Sequence, residues 1–221
     1  MSMIPKKPPF KLLDILYKKE FILFVVLVSI LIMNSNISPY FLDLYNLIDS
    51  TFLFSEKAII ALTMTFVIIA RQIDLSVASI IAVSSCVLGY TTSLGYDTWL
   101  VISLTLLSGA ICGAFNGAII TKFAIPSIIV TIGTMSLFRG LAYSFLEDSY
   151  YNKFPKLVSN LGGGYLFGYI PYAFLTFIIL AFIFAFILHK TSVGKKIYSI
   201  GNNPDAAQYT GIAVDKYTDR K

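Results

Sequence analysis

Charge is scarce in this sequence. Of its 221 residues, 13% are charged and 57% are hydrophobic, and the mean hydropathy is +0.77. Soluble domains of ordinary composition carry about 25% charged residues. The shortage of charge therefore excludes an ordinary soluble domain and predicts that lipid surrounds most of the chain.

Residues for catalysis and metal binding are scarce as well. The sequence has one histidine and two cysteines, and Cys86 and Cys112 both fall in apolar stretches, which argues against a disulfide framework. No GxxxxGK(S/T) phosphate loop, HExxH or GxSxG string occurs. The nearest string to a phosphate loop, "SVGKK", lacks the first glycine and the Ser/Thr. We therefore predict no catalytic residues, no metal site and no cofactor on this chain, and no ATP hydrolysis through such a loop.

Apolar segments long enough to cross a membrane recur along the chain. A hydrocarbon core about 30 Å thick requires about 20 mostly apolar residues in a helix. We predict six spans, at about 20–37, 56–73, 76–95, 98–121, 126–146 and 170–189. The first also has the lysine-rich start of a secretory signal peptide, but no small-x-small cleavage site follows it. The predicted fold is an all-α polytopic transmembrane helix bundle, with a membrane domain at 20–190 and flanking segments at 1–19 and 191–221.

Basic residues predict the orientation of the spans, because cytoplasmic loops are enriched in Lys and Arg. They precede the first span and recur in alternate loops: Lys6, Lys7, Lys11, Lys18, Lys19, Arg71, Lys122, Lys190, Lys195 and Lys196. Asp43 and Asp49 lie in the first intervening loop. Both ends of the chain are therefore predicted to be cytoplasmic. The same clustering beside apolar segments explains the net charge of +5 without nucleic acid binding.

Small residues form a stripe on the fourth predicted span. Gly109, Gly113 and Gly117 recur every four residues in "GAICGAFNG", and membrane helices associate through such flat faces. We predict that these glycines allow close helix packing. Asn116 on the same helix requires hydrogen bonds inside the bundle, either as an interhelical link or as part of a water-filled pathway. The sequence leaves both roles open.

The stretch "ARQIDLSVAS", residues 70–79, places ionisable groups at an expected membrane boundary. Arg71 and Asp74 stand three residues apart, and Ser76 is available to cap the helix that follows. One interpretation is a cytoplasmic turn with an exposed ion pair. The other is a turn that dips below the headgroups, because the second span is short if it ends before Arg71. Ionisable groups at that depth are usually functional.

The fifth predicted span contains an arginine in its second half. Arg139 requires water, a partner or a path to the interface, so a structural salt bridge and a role along a substrate pathway are both open. Thr131 and Thr134 on the same helix can bend it or line a cavity. Together with the polar residues above, the predicted pathway set is Asp74, Ser76, Asn116, Thr131, Thr134 and Arg139.

A polar stretch towards the end of the sequence, "GNNPDAAQYTG", predicts a short capped helix. Asn203 is a good N-cap, Pro204 suits the first helical position, and Asp205 complements the positive end of the helix dipole. Gly211 can adopt the left-handed conformation that ends a helix. We therefore predict a stable polar helix after the sixth span.

Three strings in this order resemble the membrane permeases of bacterial ABC importers for ribose and other simple sugars. "IDLSVAS" is similar to that family's "GIDLSVGS" element, and "GAFNGAIITKFAIPSIIVTIGTMSLFRGLAY" is similar to its "GxxNGxxVxxxxIPxFIVTLGTxxxxRG" core. "TSVGKKIYSIGNNPDAAQYTGIAV" is similar to its "TxxGRxxYAIGGNxxAAxxxGIxV" cytoplasmic loop. The resemblance covers about residues 55–215.

The resemblance implies a role for the capped helix. In such importers a short coupling helix in the loop after the sixth span docks in a groove of a separate ATPase subunit, which uses the ATP. The matching residues are Pro204, Asp205, Ala206, Ala207 and Gly211, and the small alanines would allow close contact.

The resemblance also implies partners and a location. A periplasmic sugar-binding protein would deliver a simple sugar such as ribose, xylose or rhamnose. A second permease subunit, the same or different, would complete the pathway in the bacterial inner membrane.

The sequence departs from the family's pattern at several points. Arg71 and Gln72 stand where the family has two glycines, and Ala78 replaces the next glycine. Similar replacements occur in the branch that serves rhamnose or the autoinducer sugar. Members of the family continue with further spans after the coupling loop, so we expect a truncated permease or a second polypeptide. The alternative hypothesis is a small channel or scaffold that works without an ATPase.

Overall fold

The computed structural model describes residues 19–146, 150–209 and Gly211. Its long helices are α1 (Lys19–Ile37), α2 (Leu44–Ile69), α3 (Val77–Ser93), α4 (Thr98–Phe123), α5 (Ser127–Leu146) and α7 (Tyr172–Lys190). Its shorter elements are α6 (Lys156–Gly163), an antiparallel pair of β1 (Tyr165–Leu166) and β2 (Ile170–Pro171), α8 (Ser192–Asn202) and α9 (Pro204–Tyr209). The predicted all-α class is confirmed. Of the predicted flanking segments, residues 1–18, residue 210 and residues 212–221 lie outside the described residues.

The apolar helices correspond to the six predicted spans. Five of them, α1, α2, α4, α5 and α7, are long and apolar enough to cross a membrane, and α3 is a shorter apolar helix of 17 residues. The ends of α1, α3, α4, α5 and α7 lie within two residues of the predicted bounds. The orientation of the spans stays a prediction.

The predicted bounds of the second span were wrong. We placed it at 56–73, whereas α2 begins at Leu44 and ends at Ile69. Asp49 and Lys57 made the N-terminal half resemble part of a loop, but both lie within the helix. With 26 residues, α2 can cross the hydrocarbon core before Arg71. Its length therefore gives no reason for the following turn to dip below the headgroups.

The chain separates into two compact units, residues 1–50 and 51–221. The described part of the first unit holds α1, which has no buried residue, and the first turns of α2. The second unit holds the remainder of α2 and all later elements. Every described residue of the predicted functional sets lies in the second unit.

The second unit is organised around α3, which packs against α4 and α5. The ends of α4 follow from local sequence. Asp97 caps its start by accepting a hydrogen bond from the Trp99 N–H at 2.9 Å. Ala124 ends it in a left-handed conformation, and Pro126 directly precedes α5. This short connection brings the start of α5 back towards the turn between α2 and α3.

Close packing of α4 on α3 occurs at one end of the glycine stripe. A Cβ atom at Gly109 would lie 3.2 Å from Ser84 Oγ, so a larger residue there would require the Ser84 side chain to shift. A Cβ atom at Gly113 or Gly117 would meet no described atom within 4 Å. The packing role of these two glycines stays a prediction.

Candidate functional site

The turn at residues 70–76 is held by hydrogen bonds from the start of α5. The Ile73 N–H donates to Ser127 Oγ at 3.1 Å, and Thr131 Oγ1 lies 3.2 Å from the Ile73 carbonyl and 2.8 Å from the Ser127 carbonyl, two acceptors that share its single hydrogen. Thr131 is 1% exposed. Non-helical backbone at a membrane boundary needs partners for its N–H and C=O groups. Ser127 therefore supplies the acceptor for the Ile73 N–H, and Thr131 lies against the Ile73 carbonyl.

A chain of hydrogen bonds joins this turn to α4. Asn116 Nδ2 donates to Ser76 Oγ at 2.8 Å, and Ser76 Oγ donates to Asp74 Oδ1 at 2.6 Å. Asp74 Oδ1 also accepts from the Ser76 N–H at 2.8 Å. Because the hydroxyl has one hydrogen, which goes to the carboxylate, Ser76 Oγ can only accept from Asn116. Three of the predicted pathway residues therefore form one connected group.

Ser76 occupies the N-cap position of α3, as predicted, but its side chain makes no capping hydrogen bond. Its hydroxyl is used by Asp74 and Asn116 instead. The prediction of a side-chain cap was therefore wrong, because a local partner, Asp74, and a distant one, Asn116, already use the same oxygen.

Asn116 is 4% exposed and links α4 to the start of α3. This hydrogen bond is an interhelical link, which is one of the two roles that the sequence left open for Asn116. Its other amide atom, Oδ1, is buried and has no hydrogen-bond partner among the described residues. A buried acceptor without a donor is costly. The role of Asn116 along a pathway stays a prediction.

Arg71 does not form the exposed ion pair with Asp74 that one interpretation of the turn required. Its Nη2 instead donates to the Asn202 carbonyl at 3.1 Å, at the end of α8. The backbone of Arg71 has φ 59°, a left-handed conformation that is uncommon for residues other than glycine. The turn therefore contacts the loop after α7 as well as α4 and α5.

The remaining predicted pathway residues lie farther along α5. Thr134 is buried, and its Oγ1 is 3.5 Å from the Thr131 carbonyl. Arg139 lies about 12 Å beyond Thr131 along the helix axis. It lines a separate cavity of about 470 Å³ with Cys86, Tyr143, Tyr150 and other residues. The structure thus does not bring Arg139 into the group at Asp74, and its salt-bridge role stays a prediction.

The segment after α7 forms an elbow of two short helices, α8 and α9. Asn203 Oδ1 accepts a hydrogen bond from the Ala206 N–H at 3.1 Å, so the predicted N-cap of α9 is confirmed. Gly211 has φ 82°, the left-handed conformation predicted at the end of the helix. Pro204 opens α9. The side chains of Pro204 and Asp205 lie outside the described part of the structure, and the dipole role of Asp205 stays a prediction.

The two predicted coupling alanines have different surroundings. Ala207 is 3% exposed and packs with Ile200 of α8 in a small apolar cluster. Ala206, Gln208 and Tyr209 are exposed. The small side chain of Ala207 therefore allows close packing inside the elbow, and the close contact with another chain that we predicted for both alanines is left to Ala206.

The elbow is also packed closely against the ends of two long helices. A Cβ atom at Gly194 would clash with the Leu188 carbonyl of α7, and one at Gly201 would clash with the Ile69 carbonyl of α2. Glycine permits such an approach of one backbone to another. Sequence reasoning missed these two glycines, although both fall inside the quoted cytoplasmic-loop string.

Comparison with known proteins agrees with this geometry. Residues 46–218 match the model of the family described as "branched-chain amino acid transport system / permease component". The chain belongs to this family. The matched range of this permease-family member includes the 70–76 turn, α4, α5 and the elbow. With its membrane-spanning helices, it is a multi-pass protein of the inner membrane.

Relatives with assigned roles support the family and the resemblance seen in the sequence. The chain is 33% identical over 210 residues to the autoinducer 2 import system permease protein LsrD of Klebsiella pneumoniae, covering 89% of this chain and 60% of that protein. It is 32% identical over 203 residues to the ribose import permease protein RbsC of Haemophilus influenzae, covering 90% and 62%. The permease-family member described here thus spans about three fifths of the length of these relatives. No solved structure matches the chain.

Proposed function

We propose that this chain is a permease subunit of an ATP-driven importer of simple sugars, and that α9 receives the motion of a separate ATPase. The observation that carries this proposal is the elbow. A capped helix with exposed Ala206, Gln208 and Tyr209 packs on α8, and the end of α8 approaches the end of α2 next to the polar turn. A force applied to α9 therefore has a short route to the membrane helices.

The sugar class rests on the relatives. The two relatives above are named for ribose and autoinducer 2 import, whereas the family's description names branched-chain amino acids. Asp74, Ser76 and Asn116 bond to one another, and Ser76 and Asn116 are buried, so the polar turn by itself does not separate a sugar from an amino acid and the choice follows the two relatives. We therefore favour a sugar over an amino acid.

The proposal requires partners. A separate subunit hydrolyses the ATP, a periplasmic binding protein presents the sugar, and a second permease subunit completes the pathway. In this arrangement Asp74, Ser76, Asn116 and Thr131 lie where the turn between α2 and α3 meets the bundle, and Arg139 belongs to a second polar region.

The test is ATP-dependent uptake of labelled ribose by proteoliposomes that contain the full-length protein with its ATPase and binding protein. Ala206→Trp should abolish ribose uptake, because a bulky ring on the exposed face of α9 obstructs the ATPase. Ala206→Ser and Ser159→Trp are the controls. The first keeps the side chain small, and the second places the same ring on the exposed surface of α6.

The outcomes separate the hypotheses. Retained uptake in Ala206→Trp contradicts the role of α9. Ribose flux through vesicles that contain the chain without any ATPase favours the channel hypothesis. ATP-dependent uptake of leucine instead of ribose, rhamnose or xylose overturns the sugar class while leaving the importer intact.

A further inference from the structure

The end of α8 contacts the end of α2 at two points. Arg71 Nη2 donates to the Asn202 carbonyl at 3.1 Å, and the backbone at Gly201 approaches the Ile69 carbonyl so closely that no Cβ atom fits. All four residues belong to the same compact unit. The contact combines a directional hydrogen bond with close backbone packing.

The hydrogen bond has a specific physical basis. Asn202 is the last residue of α8, and the last carbonyls of a helix have no partner within it. They also form the negative end of the helix dipole, so a cation is favoured there. The planar guanidinium of Arg71 offers several donors to such an acceptor. Arg71 has a left-handed backbone conformation, φ 59°, which is energetically unfavourable for a residue with a side chain and persists only where the surrounding structure holds it.

The same turn is attached to the membrane bundle on its other side. Two residues after Arg71, Ile73 is held by Ser127 and Thr131 of α5. Beyond it, Asp74 is connected through Ser76 to Asn116 of α4. Contacts therefore run without a gap from α9 through α8 and the turn to α4 and α5.

We propose that Arg71 is a positioning residue that locks the α8–α9 elbow to the 70–76 turn, so that the two move as one body when α9 is displaced. This inference rests on the proposed function, since it makes Arg71 the link between the ATPase contact and the polar group at Asp74. Gly201 supports the lock through packing. Without the Arg71 side chain the elbow stays folded but tilts independently of the turn.

The first test measures the link without any ATPase. Spin labels at Tyr209→Cys on α9 and Leu75→Cys in the turn, in full-length protein with Cys86→Ala and Cys112→Ala, report their separation by pulsed electron paramagnetic resonance. The parent should give one narrow distance peak. Arg71→Met should lose that single peak, and Arg71→Lys should retain part of it.

The control is Lys195→Met, which removes an exposed positive charge from the same elbow but does not touch the link. It should keep the narrow peak. A narrow peak in Arg71→Met overturns the proposal, and so does an equal loss in Lys195→Met, which would assign the effect to net charge. A failure of the proposed function leaves this measurement intact, because it needs no transport.

The second test measures coupling in the assembled importer. The amount of ribose transported per ATP hydrolysed should fall about fivefold in Arg71→Met and recover in part in Arg71→Lys. A distance peak that is lost while this ratio stays at the parent value makes Arg71 a purely structural residue and overturns the proposal. If the parent protein shows no ATP-dependent uptake, the proposed function fails. The distance measurement alone then decides whether Arg71 links the elbow to the turn.

Discussion

Asn116 and Ser76 are 40 residues apart in the chain, yet the Asn116 Nδ2 lies 2.8 Å from Ser76 Oγ. This hydrogen bond joins the C-terminal half of α4 to the start of α3, and Ser76 in turn donates to Asp74. The Ser76 hydroxyl accepts from Asn116 and donates to Asp74. Removing it therefore takes an acceptor from Asn116 and a donor from Asp74. The bond is therefore the most direct place to test whether the polar group stabilises the bundle.

Ser76→Ala should lower the free energy of unfolding by about 1–3 kcal/mol, because it leaves the buried Asn116 amide without its acceptor. The measurement is unfolding in mixed detergent micelles. Ser103→Ala on α4 is the control, since its hydroxyl is exposed and bonds to the Trp99 carbonyl of its own helix. The control should change the free energy by less than about 0.5 kcal/mol. Equal effects in the two variants contradict the prediction.

Ser127→Ala should loosen the 70–76 turn. Without Ser127 Oγ, the Ile73 N–H loses its acceptor, and its hydrogen exchange should accelerate about fivefold to tenfold. Exchange measured by mass spectrometry on peptides that cover the turn tests this. Ser136→Ala on the exposed face of α5 should leave exchange in the turn unchanged. Parent-like exchange in Ser127→Ala would show that α5 does not hold the turn.

Gly194→Ala should displace the elbow, because its Cβ atom would clash with the Leu188 carbonyl of α7. Backbone oxygen cannot move aside as a side-chain tip does, so α8 has to shift. The matched control is Gly140→Ala on α5, where a Cβ atom meets no described atom within 4 Å. Limited proteolysis after α7 should be faster in Gly194→Ala and unchanged in Gly140→Ala. Parent-like cleavage of both variants contradicts the close approach.

Asn203→Ala should weaken α9 by about 1 kcal/mol, the usual cost of losing a side-chain N-cap. The Ala206 N–H, which donates to Asn203 Oδ1, should then exchange about fivefold faster. Asn203→Asp retains an acceptor oxygen and should restore parent-like protection. If Asn203→Asp exchanges as fast as Asn203→Ala, the side chain is not acting as a cap.

Local features of the sequence were sufficient for much of this description. The apolar runs located five helices to within two residues, and Asn203 and Gly211 were identified from capping rules alone. The error at α2 had a local cause as well, since Asp49 and Lys57 interrupt the apolar run although both lie within the helix. Hydropathy averages over a window and does not register which face a charge occupies.

Contacts between distant segments needed the tertiary structure. The sequence grouped Arg71 with Asp74 because they stand three residues apart, whereas in the fold Arg71 bonds to Asn202, 131 residues away. Likewise, Ala206 and Ala207 are adjacent and chemically identical, but only the packing of α9 on α8 buries Ala207. Neither outcome has a signal in residue spacing.

The sequence by itself determined the membrane class, the helical fold, the polar turn at 70–76 and the capped helix after α7, because hydropathy, capping and backbone preferences act over a few residues. The tertiary structure alone decided which polar groups meet. It placed Ser76 against Asn116, Ile73 against Thr131 and Arg71 against Asn202. Those pairings depend on how α3, α4 and α5 pack and on where α8 ends, and a hydrogen bond forms only when that packing brings donor and acceptor to about 3 Å.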